Sequence, residues 1–78
     1  VDIPDEVMRK FMNFERTARV KFCLNDSIQV KSGKYKGTHA AVISINSFMP
    51  EIEYLIESSD GYDLIVKQEE IELVQRRE

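Results

Sequence analysis

The chain has 78 residues, of which 42% are apolar and 32% charged, with a formal net charge of −3. That is the size and make-up of one small globular domain, neither disordered nor fibrous. Its longest apolar run (Ala40, Ala41, Val42, Ile43) is far too short to span a bilayer, and the acidic total argues against tight non-specific binding to nucleic acid.

Ile3-Pro4-Asp5-Glu6 reads as a helix start, with proline in the first turn and two acids facing the positive end of the helix dipole. Val7, Phe11, Phe14 and Ala18 then recur at spacings of four, three and four, one face of a helix that Met8 and Met12 widen. A helix over residues 1–18, packed on the rest of the domain, is expected. From Arg19 the period becomes two. Val20, Phe22 and Leu24 alternate with Arg19, Lys21 and Cys23, which predicts a strand with one wet face. Asn25-Asp26 breaks it, and Ile28 and Val30 resume the alternation.

A polar loop follows, Ser32-Gly33-Lys34-Tyr35-Lys36-Gly37, and then a third extended run from Ala40 to Ile45. Asn46 to Pro50 is a break, since proline is out of place in a central strand. Ile52, Tyr54 and Ile56 alternate with Glu51, Glu53 and Glu57. Ser58-Ser59-Asp60-Gly61 predicts a hairpin turn, and Tyr62, Leu64 and Val66 the returning strand. Gln68-Glu69-Glu70 reads as a single helical turn; Ile71, Leu73 and Val74 read as a last short strand, and Arg76-Arg77-Glu78 as a frayed end.

Five or six closely spaced strands in so short a chain predict a small antiparallel barrel over residues 19–78, closed to protect its edges, with the helix covering one end or side. The expected fold class is α+β, mainly β, in one domain overall. Cys23, expected half-buried in its strand as a small apolar residue, is the single cysteine, so no internal disulfide is available and the core alone holds the fold, as in reduced intracellular proteins. No basic-then-apolar leader opens the chain, so a cytoplasmic location is expected; the start at Val1 suggests a piece of something longer.

The charge is laid out unevenly. Residues 1–48 carry eight basic and five acidic side chains, whereas residues 49–78 carry three basic and nine acidic ones. Such a division can steer a charged partner, although ordinary solvated strand faces are the default reading in a small domain. Within the basic half, Lys34, Tyr35 and Lys36 form the leading candidate site: two ammonium groups flank a ring able to stack on a base or cover an apolar side chain. Lys31 and Lys21 can extend the patch, and His39 stands beside it. The same residues also suit an ordinary solvated turn.

No catalytic or metal constellation is evident. His39 is the only histidine and Cys23 the only thiol, at a spacing unrelated to a ligand set. Asp60-Gly61-Tyr62-Asp63 lacks the ligand series of a calcium loop, and no glycine-rich phosphate cradle precedes a helix. A non-enzyme without a cofactor, small-molecule substrate or membrane partner is expected.

The stretch from Asp26 to Ile45 carries a more specific pattern. Asp26, Ile28, Val30, Gly33, Lys36, Gly37, Val42 and Ile45 fall in the order of the KOW motif, which this stretch resembles. That motif occurs in a ribosomal protein of the large subunit and in bacterial transcription elongation factors. Ala40 stands where the motif carries its later glycine, and Asn25 where many members have a glycine before the aspartate. The resemblance implies an SH3-like barrel, and it implies RNA contact by Lys34, Tyr35 and Lys36. The leading expectation is therefore a module docking on RNA or a ribonucleoprotein through the loop at residues 33–37. The alternative is a protein-binding adaptor or an immunity-type inhibitor that engages a basic partner through Glu51, Glu53 and Glu57, or through the helix. A third, an accessory domain of a larger enzyme, has less in the sequence to draw on.

Overall fold

The computed structural model describes residues 3–75, and it contains one helix and five strands. Helix α1 spans Asp5–Met12, strand β1 Ser27–Val30, β2 His39–Ser47, β3 Glu53–Ser58, β4 Asp63–Lys67 and β5 Ile71–Gln75; a single 3₁₀ turn, Gln68–Glu70, joins the last two. All strand pairs are antiparallel, in one sheet of order β4-β3-β2-β1-β5. The mainly-β α+β class is as the sequence predicts.

Pro4 caps α1, with Asp5 and Glu6 in the first turn and Arg9 and Lys10 in the last, each sign matched to its end of the dipole. Phe11 is buried and stacks on Tyr54 with centroids 6.5 Å apart, while Ile3, Val7 and Met8 pack on the same core. The helix is shorter than its apolar spacing predicts. It stops at Met12 because Phe14 adopts a φ of 63°, and the turn closes through Glu15 N–H to Lys10 C=O (2.8 Å) and Phe14 N–H to Phe11 C=O (3.3 Å). Phe14 and Ala18, expected on the packed face, are exposed instead.

The strand expected from Arg19 to Leu24 is an extended segment without a backbone ladder. Side chains hold it: Lys21 N–H donates to Gln68 Oε1 and Gln68 Nε2 to the Arg19 carbonyl, both at 2.9 Å, and Phe22 N–H reaches the Tyr54 hydroxyl at 3.4 Å. Val20 and Phe22 point inward as their period predicts. Cys23 is fully buried as well, deeper than the half-buried position expected of it. A tight turn from Cys23 to Asp26 ends the alternation there, with Asn25 at φ 67°.

Asp26 closes this turn and is only 1% exposed. Its carboxylate accepts Cys23 N–H at 2.8 Å and both arms of the Arg16 guanidinium at 2.6 and 3.0 Å. Such a bidentate, charge-assisted arrangement satisfies a buried anion that would otherwise be expensive. It also raises the Arg16 pKa above its ordinary value, chiefly through the hydrogen bond to Asp26.

The core lies between the sheet and the segment carrying α1, Val20 and Phe22. Ile28 and Val30 enter it from β1, Tyr54 and Ile56 from β3, Val66 from β4 and Ile71 from β5, with Ile52 just before β3. Tyr54 is central: the Phe22 ring meets it edge-on at 5.6 Å. On β2 the inward residues are Val42 and Ile45, three apart rather than two. The β2–β3 register slips between Val42 and Ser44 and again between Ile45 and Ser47, so each bulge adds a residue and resets which face points in. Tyr62, expected on the returning strand, lies in the turn before β4 and is exposed; Leu73 and Val74 are exposed on β5. Residues 76–78, expected to fray, lie outside the described residues.

Candidate nucleic-acid interface

The β1–β2 loop is built on its own backbone. Val30 N–H bonds Thr38 C=O at 2.8 Å and Gly37 N–H bonds Val30 C=O at 2.7 Å, pinching the loop at its base. Within it Lys36 N–H reaches Gly33 C=O and Thr38 N–H reaches Tyr35 C=O. Gly33 and Gly37 take φ values of 87° and 95°, a region costly for any residue with a Cβ. Gly33 has a second reason to be glycine: a Cβ there would collide with the Glu70 carboxylate. That carboxylate caps the 3₁₀ turn by accepting Lys67 N–H at 2.9 Å, and Lys31 N–H bonds the Glu70 carbonyl at 2.7 Å. The loop is thus buttressed by an element nearly forty residues away in sequence.

Lys34 and Lys36 are exposed, and Lys34 Nζ lies 5.5 Å from the centroid of the Tyr35 ring. Tyr35 is half-buried and packs against the core, so its ring is anchored on one side. Lys31, at the foot of the loop, lines a groove of about 580 Å³ with Arg19, Lys21 and Lys67, over a floor that includes Phe22 and Ile71. Glu51 and Glu69 are its acidic members. Lys67 pairs with Glu51 at 3.4 Å, which raises the Lys67 pKa. Arg19 stacks over the Phe48 ring at 4.6 Å and bonds the Phe48 carbonyl at 3.3 Å. Among the described residues, Arg19, Lys21 and Lys31 have no ion-pair partner, so the groove's cations other than Lys67 are not neutralised by a carboxylate.

His39 does not line this groove. It stands at the start of β2 and lines another, of about 490 Å³, with Ser27, Ala41, Glu57, Ser59 and Val74. The three glutamates expected as one acidic row are divided as well. Glu51 precedes β3 and is engaged with Lys67; Glu53 accepts a hydrogen bond from Asn46 Nδ2 at 3.1 Å; Glu57 lines the groove of His39. Leu55 separates the two strand glutamates on the outer face of β3. Asp60, Gly61 and Tyr62 form the β3–β4 turn and Asp63 opens β4; the turn is closed by Gly61 N–H to Ser58 C=O at 2.9 Å with Gly61 at φ 90°. Among the described residues, no group of three or more His, Cys, Asp or Glu side chains is placed to hold a metal ion, and no helix is long and apolar enough to cross a membrane.

Lys21, Lys31 and the loop are legible in the sequence, whereas Arg19 and Lys67 as their neighbours are not. Those two come from segments 48 positions apart in the numbering, brought together by the Gln68 clamp on the 19–21 backbone. No local pattern signals such a meeting. The chain matches no protein-family model and no curated protein.

Proposed function

We propose that this chain is a non-catalytic, SH3-like binding module that docks on RNA or a ribonucleoprotein through Lys34, Tyr35 and Lys36, with Lys31 and Lys21 extending the contact. The observation that carries this reading is the junction of the loop with the groove. The loop that carries exposed Lys34 and Lys36 and the core-held Tyr35 begins at Lys31, and Lys31 lines the groove together with Lys21. Phosphates are bound by ammonium groups in such a track, and the exposed part of the Tyr35 ring is available to one unpaired base.

The strand order, with a 3₁₀ turn between the last two strands, supports an SH3-like layout. Two departures from the KOW pattern are physically mild. Asn25 sits at positive φ, where asparagine is among the residues that substitute for glycine with least cost. Ala40 sits within β2, paired with Ile28, where extended backbone needs no glycine. The acidic alternative has less support, because Leu55 interrupts the row and Glu57 lines a different groove from Glu51.

The test is a titration with short single-stranded and structured RNAs at two salt concentrations. Lys34→Glu combined with Lys36→Glu is expected to abolish binding, and wild-type affinity is expected to fall steeply with salt. RNA affinity retained in the double variant contradicts the assignment.

A further inference from the structure

β4 ends the sheet, with β3 as its one strand neighbour. Which of its backbone groups face outward follows from the ladder. Ser58 N–H bonds Tyr62 C=O at 2.8 Å, and Gln68 N–H bonds Ile52 C=O at 2.9 Å. Bonded pairs alternate along an antiparallel ladder, so Leu64 and Val66 turn their N–H and C=O groups toward β3. Asp63, Ile65 and Lys67 turn theirs to the open edge. The Lys67 N–H agrees with this, since it bonds the Glu70 side chain instead of β3.

The strand at that edge reads Asp63-Leu64-Ile65-Val66-Lys67. Reversed, it complements itself: an antiparallel copy centred on Ile65 sets each Asp63 opposite the other chain's Lys67, Leu64 opposite Val66, and Ile65 opposite Ile65. The outward backbone groups fall in register, because the residues facing the edge are those that meet. Asp63 and Ile65 N–H groups find the Lys67 and Ile65 carbonyls of the second copy, four hydrogen bonds in all. Ile65 is 44% exposed and lies beside half-buried Leu55 on the outer face. Pairing joins these into one apolar stripe across the seam.

We propose that the β4 edge is a self-association surface, through which two copies of this chain pair antiparallel about a two-fold axis centred on Ile65. A lysine on an edge strand ordinarily wards off strand addition. Here it meets an aspartate when the incoming strand is the chain's own. Glu51 competes for Lys67, but that exposed pair is weak and Lys67 can be shared. A two-fold interface is closed, so the edges consumed are not passed on to further copies.

The experiment is sedimentation equilibrium of the intact chain over a concentration series, alongside hydrogen exchange at the β4 amides. A concentration-dependent dimer is expected, with the Asp63 and Ile65 amides gaining protection as it forms while Leu64 and Val66 are protected throughout. Asp63→Lys places two lysine pairs across the seam and is expected to weaken association by about tenfold or more. Asp63→Lys with Lys67→Asp restores opposite charges and is expected to restore the dimer. Circular dichroism of each variant confirms that the monomer is folded. A wild-type chain that stays monomeric at the highest concentration overturns the proposal, as does a dimer indifferent to the single swap. So does a dimer with no added protection at Asp63 and Ile65.

Discussion

The pairing of Arg16 with Asp26 is the most exacting element of the fold, and Asp26→Asn tests it with almost no change of volume. The carboxylate is 1% exposed and accepts three hydrogen bonds, two from a guanidinium whose side chain is 23% exposed. The amide retains one acceptor for Cys23 N–H but presents its NH2 group or a neutral oxygen to Arg16. Removing one partner of a buried pair typically costs about 3–5 kcal/mol; with Arg16 partly solvated, about 3 kcal/mol is expected. A domain of this size has only about 3–5 kcal/mol of net stability, so the variant should sit near its unfolding midpoint in water. Urea unfolding in a stabilising osmolyte measures the difference. Arg16→Met should cost a similar amount, and the double variant little more than either alone, a coupling of about 3 kcal/mol. A loss below about 0.5 kcal/mol for Asp26→Asn, or additive single effects, means that the pair does not hold this turn.

Other expectations follow from backbone strain and burial. Phe14 holds a φ of 63° while 48% exposed, so Phe14→Gly should stabilise the chain by about 0.5–1 kcal/mol in the same assay; a loss means that the ring packs more productively than its exposure implies. Gly33→Ala should cost more than Gly37→Ala, since both have positive φ but only Gly33 faces the Glu70 carboxylate, where Gly37 faces open space. About 1 kcal/mol is expected for Gly37→Ala and about 2 kcal/mol for Gly33→Ala, and equal losses contradict the buttress. Burial pushes the Tyr54 phenol well above its ordinary pKa. Unfolded, it loses its proton near pH 10, so above that pH the unfolded chain binds fewer protons than the native one and stability falls as pH rises. Tyr54→Phe should flatten that alkaline decline while costing about 1 kcal/mol at neutral pH; an unchanged decline places the responsible group elsewhere.

The sequence was most legible where burial follows a simple period. Ile28 and Val30, then Tyr54 and Ile56, alternate with polar neighbours, and this fixed both the strand and its inward face. The polar triplet Gln68-Glu69-Glu70 likewise marked its turn. Periodicity misled where the chain leaves a regular element without a loud signal. Nothing in Asn13-Phe14 announces a left-handed residue, so the apolar spacing carried the expected helix one and a half turns too far. The bulges in β2 could not be foreseen from Ile43 and Ser44, whose types suit an unbroken strand. At the candidate site the loop itself was legible from its glycines and lysines, since those residue types act locally. Its support from Glu70 and the meeting of Arg19 with Lys67 depend on tertiary packing, which no window of neighbouring residues contains.

Whether the loop and its adjoining lysines form the binding surface is read residue by residue in amide NMR of the labelled chain during RNA titration. Salt-sensitive shifts are expected, concentrated at residues 31–37 and at Lys21, with His39 and Glu57 in their separate groove unmoved. Silence at those lysines, or shifts centred on Glu53 and Glu57 when a basic protein is added instead, contradicts a binding surface there.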